Sequence, residues 1–470
     1  MIEAPPEKPA LNVRAYYCAF AVLSAIAILA PIRAGDLPGY DDALYANIAK
    51  EIVRSGDWLN PRNNGLVYLE HPPLLEWMQA LLFSLFHVSD TMAKLPSALC
   101  GLGTVLLAGW LGRRLTGDSL TGLLATFVMA TSAYFLKYSA RAMTDAPATF
   151  FFLASICAWS LTDEDPGWYL ATGAFTAITL LTRALTGFGL PLIFAIQLVV
   201  ERRRPPVRYA IAALAIAILP LALWYARVIH VYGAWFYQGG SVWLERTVTE
   251  TLSPAWRRYT GITEYAWMFA KSYWPWLPFT IAGGVAVIRG RDRRMLLLIV
   301  WASVVVVMYG AASSRVLRYI LPAYPAFAVL AAIGLVRFVP LRYLRNGIRV
   351  LTPVLAAAVI AIALFPPAVH HAAETRPMAI AATSVTPPGE RFAFYDAGPP
   401  RYDEVNQIHW YGGRQVLMLF SPEDLATAIA DRQTRVFVVD KGTYRASIGS
   451  RVAHEVVAES GHLICVRLTP

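Results

Sequence analysis

Charge is the scarce resource in this chain. Asp, Glu, Lys and Arg supply 15% of its 470 residues, against roughly 25% in ordinary soluble domains. An intrinsically disordered chain combines low hydrophobicity with high net charge, and this composition excludes it. Cysteine is scarcer still. There are four, with no Cys-x-x-Cys pair, which excludes a disulfide-built module and a cysteine metal site. Cys18, Cys100 and Cys157 fall inside apolar runs and Cys465 lies near the C-terminus, so all four read as structural fill. Apolar residues are abundant at 57%, with 14 Trp, 23 Tyr and 21 Phe. No soluble core buries that many, and the expected class is a polytopic α-helical membrane protein.

A bilayer core takes about 20 apolar residues per helix. Twelve candidate spans follow: 14–32, 73–88, 95–112, 119–136, 146–162, 167–182, 185–200, 208–229, 266–288, 295–312, 317–336 and 347–366. The first reads as a retained helix and not a signal peptide, because no small-x-small cleavage site follows it. The net charge of +10 does not point to nucleic acid. Residues 370–470 hold 10 basic and 11 acidic residues, so the excess lies among the apolar spans. It concentrates in Arg202–Arg204 with Arg208, in Arg289–Arg294, and in Arg337, Arg342, Arg345 and Arg349. Basic short loops mark the cytoplasmic side. That rule turns loop 33–72, residues 230–265 and everything beyond 366 outward. With a cytoplasmic N-terminus the count must be odd, and the expectation is thirteen spans, with one short or broken helix unrecognised between 73 and 145. A membrane domain of residues 1–369 would then carry a soluble α/β domain, residues 370–470, on the outer, periplasmic side of a bacterial inner membrane. Arg391–Tyr395, Arg435–Asp440 and the stretch from His454 to Leu468 read as strands. Ser421–Ala430 reads as a helix with a Ser cap and early acids. No inverted repeat of the transporter kind is visible.

The outer loop 33–72 carries most of the chemistry. Asp41 and Asp42 open a helical stretch, where negative charge is favoured; they are a helix start or a catalytic base. Tyr45, Trp58, Tyr68, Glu70 and His71 follow. Arg141 and Asp145, four apart, would share a helix face at a span edge. Arg183 interrupts two apolar runs, and Arg315 and Arg318 open an outward helix. Ionisable residues in such places are costly and often functional, although arginines also snorkel at interfaces. Arginine grips phosphate through paired N–H donors, so acids and arginines on one outer face suit an anionic, lipid-borne substrate.

The ordered motifs resemble the lipid-linked-sugar glycosyltransferases of the GT-C class, in particular the bacterial aminoarabinose transferases and protein O-mannosyltransferases. The matching segments are Asp41-Asp42-Ala-Leu-Tyr45-Ala46, Gly56-Asp57-Trp58-Leu-Asn-Pro61, Tyr68-Leu-Glu70-His71-Pro72-Pro73-Leu74, Tyr138-Ser-Ala-Arg141-Ala-Met-Thr-Asp145 and Arg315-Val-Leu-Arg318-Tyr319-Ile-Leu-Pro322. Each is weak alone; their order and spacing together are specific, over about residues 14–366. Asp42 stands where the family has Glu, Leu44 where aminoarabinose transferases have Arg, His71 where the motif has Lys, and Arg183 in a region where that group has Lys. Some members hold a divalent metal ion with the motif's Glu and a later His. Glu70 is the candidate ligand here, with His71 beside it, and no His occurs between 231 and 369.

The resemblance implies a polyprenyl-phosphate-linked sugar donor, a lipid, glycan or protein acceptor, and modification of envelope lipids such as lipid A as one outcome. Membrane lipids are the other partners, and nucleic acid is not. Asp41 is the expected general base, with Asp42 and Asp145 as further catalytic acids. Arg141, Arg183, Arg315 and Arg318 would bind the donor phosphate. Tyr45, Trp58, Tyr68, Glu70, His71 and Tyr319 would shape the sugar pocket; the aromatics would otherwise form an interfacial belt. The competing function is a transporter or flippase of a lipid-linked sugar.

Overall fold

A computed structural model describes residues 11–233, 255–310, 316–366, 370–397, 401–449 and 452–469. Helix α1 (Val13–Leu29) starts where the Asn12 side chain accepts from the Ala15 amide at 3.2 Å, one of the donors a helix start leaves unpaired. The outer loop then folds as α2 (Asp41–Ser55), a two-stranded hairpin of β1 (Arg62–Asn63) and β2 (Leu66–Val67), and α3 (Leu74–Leu85). Asn64 and Gly65 turn the hairpin with φ of 55° and 78°, the left-handed pair that Asn-Gly supplies at least cost.

The membrane helices continue with α4 (Asp90–Thr116), α5 (Ser119–Ala130), α6 (Ala133–Ser139), α7 (Asp145–Trp159), α8 (Trp168–Thr182), α9 (Ala184–Glu201) and α10 (Val207–Tyr232). Then come α11 (Ala255–Ser272), α12 (Leu277–Gly290), α13 (Leu296–Gly310), a 3-10 stretch Leu317–Ala323, α14 (Tyr324–Phe338) and α15 (Leu341–Leu364). Among the described residues six helical stretches are long and apolar enough to cross a bilayer, or seven if α5 and α6, bent by 66°, form one span; five shorter apolar helices accompany them. The bent pair is the expected 119–136 span, broken after Ala130.

Besides the bent 119–136 span, two more expected spans fold differently. The 73–88 span is the 12-residue α3, about 18 Å long at 1.5 Å per residue and short of a bilayer core. The 266–288 span is interrupted between α11 and α12, where Pro275 has no amide to continue the ladder. Burial orders the bundle. The stretch Leu317–Phe338 is 83% buried over its most apolar window and Leu341–Leu364 only 11%, so α14 is central and α15 faces outward. Helices α12 and α14 cross at glycine. A Cβ on Gly283 would meet the Leu330 carbonyl, and one on Gly334 would meet the Phe279 carbonyl. Small residues permit this backbone approach between membrane helices.

The C-terminal segment holds α16 (Thr375–Val385), β3 (Phe392–Tyr395), α17 (Tyr402–Gly412), β4 (Val416–Leu419), α18 (Pro422–Ala430), β5 (Val436–Asp440), β6 (His454–Ser460) and β7 (Leu463–Leu468). Its sheet runs β4-β3-β5-β7-β6. The first three strands are parallel, and β7 is antiparallel to both β5 and β6. Ser421 and Asp424 form a reciprocal capping box at α18.

Candidate active site

The two acids that open α2 have opposite surroundings, because neighbours on a helix point about 100° apart. Asp42 is fully buried. Its carboxylate accepts from Arg141 Nε at 2.8 and 3.0 Å, from Arg141 Nη2 at 2.5 Å and from the Ala142 amide at 2.8 Å. Asp41 is partly open, with its side chain 29% exposed. It accepts from Arg318 Nη2 at 2.9 Å. Burial raises the Asp41 carboxyl above its ordinary range, with the nearby Asp145 and Asp42 acting the same way and Arg318 and Arg183 opposing them.

Asp145 begins α7 and is 1% exposed. Arg183 donates to its Oδ1 at 2.5 Å, and Arg318 Nε lies 3.7 Å from its Oδ2. Among the described residues those last two atoms are buried and make no hydrogen bond, so the cluster has a donor and an acceptor to spare. Arg183 owes its position to a break. It is the one extended residue between α8 and α9, with φ −155° and ψ 95°. Its guanidinium carbon lies 4.5 Å from the centre of the Tyr319 ring, and that of Arg318 lies 5.4 Å from the same ring. Asp41, Arg318, Asp145 and Arg183 therefore form a line of alternating charge from four separate segments.

The expectation that Arg141 and Asp145 share a helix face fails. Helix α7 starts at Asp145 and Arg141 lies in the bend before it, so Arg141 reaches back to Asp42 instead. That pairing engages both oxygens of the Asp42 carboxylate through Nε and Nη2 of Arg141. Arg315 lies outside the described residues.

Tyr45 stands one turn below Asp41 and is buried. Its ring meets His71 edge-on at 5.0 Å, and Tyr68 also meets His71 edge-on at 5.4 Å. Tyr68 donates to Glu70 at 3.2 Å. Trp58 stands apart and half exposed. Its carbonyl accepts from the Trp77 indole at 2.6 Å, and the Asp57 side chain folds the turn by accepting from the Leu59 and Asn60 amides. Arg227 and Tyr232 of α10 clamp that turn through the Leu59 carbonyl and Asn60, so the Gly-Asp-Trp segment works as a brace. Among the described residues no three His, Cys, Asp or Glu side chains come together as a metal site.

Sequence reasoning passed over Glu76 and Tyr309. Glu76 is fully buried, with His71 Nε2 3.6 Å from its carboxylate. A lone acid inside an apolar run was the available signal. Tyr309 shares a 2.5 Å hydrogen bond with Thr186, and its ring lies 5.5 Å from Tyr319. Nothing in the sequence marks it among so many aromatics.

Fold and site together define a multi-pass helical membrane protein with an acid–arginine cluster at one end of its bundle. A family model for dolichyl-phosphate-mannose-protein mannosyltransferase matches residues 70–225. An uncharacterized protein of Aquifex aeolicus (strain VF5) is 24% identical over 302 residues, 62% of this chain and 58% of that one. The undecaprenyl phosphate-alpha-4-amino-4-deoxy-L-arabinose arabinosyl transferase of Shewanella sediminis is 25% identical over 325 residues, 66% of this chain and 57% of the relative. The matched stretch thus spans under two thirds of those relatives' length. In fold, ArnT from Cupriavidus metallidurans, solved in the apo state, superposes with a TM-score of 0.75 at 18% identity over 96% of this chain and 97% of its own. The same protein bound to undecaprenyl phosphate superposes at 0.76 and 18% identity, covering 97% and 98%. The chain resembles, in sequence and in fold, the GT-C glycosyltransferases of the aminoarabinose-transferase and protein-mannosyltransferase type.

Proposed function

We propose that this chain is an inverting membrane glycosyltransferase that moves a monosaccharide from a polyprenyl-phosphate donor to an envelope lipid, glycan or protein. The reaction takes place on the outer face of the inner membrane. The sugar is a hexose or a pentose, and the segment 370–470 is a periplasmic α/β domain over thirteen spans. The observation that carries this reading is the line Asp41–Arg318–Asp145–Arg183. It sets a partly open carboxylate beside two arginines held by a buried acid.

Asp41 takes the proton of the acceptor hydroxyl or phosphate as the acceptor oxygen bonds to the anomeric carbon. The bond from that carbon to the phosphate oxygen breaks, and its electron pair leaves with the polyprenyl phosphate. Arg318 and Arg183 offset the charge that gathers there, as preorganised cations do. Asp145 holds both arginines in place. Arg318 Nε and Asp145 Oδ2, 3.7 Å apart and without a hydrogen bond, are the natural partners of a sugar hydroxyl. Tyr45, Tyr68, Tyr319 and His71 line the sugar side. Asp42 and Arg141 act as a structural pair that fixes the start of α2. No step is routed through a metal ion.

The test is transfer by the purified protein from undecaprenyl-phosphate-linked sugars to extracted envelope lipids, glycans and proteins, read by mass spectrometry. Transfer is expected from the wild type. Asp41→Asn should lose about 10²–10⁴-fold while remaining folded. Wild-type rates in that variant would refute the base assignment. Movement of the lipid across liposomes without a mass shift in any acceptor would favour a flippase.

A further inference from the structure

Helix α17 of the C-terminal segment lies along α2, and the seam between them is polar. Asn47, Lys50 and Arg54 follow at i, i+3 and i+7, so they share one face of α2. Each donates to a backbone carbonyl across the seam. Asn47 Nδ2 reaches Asn406 O at 2.8 Å, and Lys50 Nζ reaches Trp410 O at 2.9 Å and His409 O at 3.3 Å. Arg54 Nη1 reaches Gly413 O at 3.2 Å. A helix end leaves carbonyls without partners and carries the negative end of the dipole. Lys50 and Arg54 therefore cap the C-terminal end of α17 from outside it, and Asn47 adds a bond to a carbonyl further back in the helix. Lys50 is 7% exposed, and its ammonium also sits 4.7 Å from the centre of the Trp410 ring.

The chain entering α2 is held by the same partner. The Leu37 amide donates to the Tyr411 hydroxyl at 2.9 Å, and the Leu37 carbonyl accepts from Gln407 Nε2 at 2.9 Å. Gly39 passes so close that a Cβ there would lie 2.5 Å from the Asp403 carbonyl oxygen. The hairpin adds a two-way clasp, with Asn64 donating to the Val416 carbonyl and accepting from its amide, each at 2.7 Å.

We infer that α17 is a positioning element for Asp41, acting through Lys50 and Asn47 on the helix that carries it. The inference rests on the glycosyl-transfer reading of Asp41. Asp145, Arg183 and Arg318 belong to the membrane bundle, whereas Asp41 rides on an outer-loop helix. Lys50 lies nine residues along that helix, about 13 Å from Asp41 at 1.5 Å per residue. A small rotation of α2 at the seam displaces the carboxylate at its other end, and displacements near 1 Å cost about 10²-fold in rate. Directional hydrogen bonds fix the register of two helices where apolar packing would let them slide.

The experiment uses the full-length protein and two readouts, transfer kinetics from an undecaprenyl-phosphate-linked sugar and amide exchange over residues 41–46. Lys50→Met should lower kcat by about tenfold or more, with the donor KM within about twofold, because the arginines stay in place. Exchange over 41–46 should quicken in the same variant. Lys50→Arg, which keeps a cation at the carbonyls, should return most of the rate, and Asn47→Ala should move both readouts the same way by a smaller factor. Wild-type kcat and exchange in both Lys50→Met and Asn47→Ala would overturn the inference, as would a raised KM with kcat unchanged. If Lys50→Met does not fold, Asn47→Ala decides. If the wild type transfers no sugar, the functional reading fails, and the exchange arm still decides whether α17 holds the start of α2.

Discussion

Arg318 donates to Asp41 at 2.9 Å across 277 residues of chain. One side chain leaves a 3-10 turn of the helical bundle and the other opens α2, in the loop after α1. Their meeting joins the two halves of the candidate site. It also sets how the site responds to pH.

Burial raises the Asp41 carboxyl and Arg318 lowers it. Only the carboxylate accepts a proton, so activity should fall as pH drops through the raised value. The acid limb of kcat/KM should lie above the ordinary Asp range near ~3.9. Replacing Arg318 with Met removes the opposing cation and should move that limb further up. A pH–rate profile of transfer checks both points, and an unmoved limb in Arg318→Met would count against the pairing.

Asp42 and Arg141 make a separate, structural prediction. Arg141→Met strands a fully buried carboxylate, and breaking such a pair costs about 3–5 kcal/mol. The thermal midpoint in detergent should fall. Adding Asp42→Asn should recover part of the loss, because the stranded charge is gone. A double variant no more stable than Arg141→Met alone would argue that the two residues do not act as a pair.

The seam should be sensitive to acid. His409 is 1% exposed. Burial, with Lys50 and Arg54 nearby, pushes it down to about 3. It is therefore neutral, and its 3.4 Å contact with Glu51 is not an ion pair. The unfolded chain binds a proton at His409 below about 6.5 while the folded chain does not. Stability from this residue is full above that pH and is lost as pH falls toward 3. Glu51, itself raised by burial, acts in the opposite sense, nearer the carboxylate range. Melting curves between pH 7 and 5 should show a falling midpoint, with a shallower slope in His409→Asn.

At the crossing of α12 and α14, Gly334→Leu should destabilise by about 1–3 kcal/mol or more through overpacking. Detergent melting measures this directly. Gly290→Leu, where a Cβ would meet nothing within 4 Å, is the control and should leave the midpoint in place.

Much of the membrane part was legible because a bilayer demands long apolar runs, and these survive as periodicity. Spans such as 208–229 and 185–200 coincide with α10 and α9 within a few residues. The breaks were harder. Pro275 sits among aromatic residues that join two apolar stretches, so α11 and α12 read as one helix. In the C-terminal segment β3, β5 and α18 follow their local signals. The four-residue β4 is too short to carry a periodicity, and in α17 the apolar residues Val405 and Ile408 are mixed with buried polar ones.

Composition and spacing by themselves determined a multi-pass chain with its acids and arginines gathered on one side, because burial in lipid and loop charge act on sequence directly. They also singled out Asp41, Asp145, Arg183 and Arg318. Tertiary structure alone decided which acid meets which arginine. Asp42 and Asp41 are adjacent and chemically alike, yet one is sealed by Arg141 and the other is left open beside Arg318. That difference comes from a 100° turn of a helix and from where α7 begins, and neither is written in residue type.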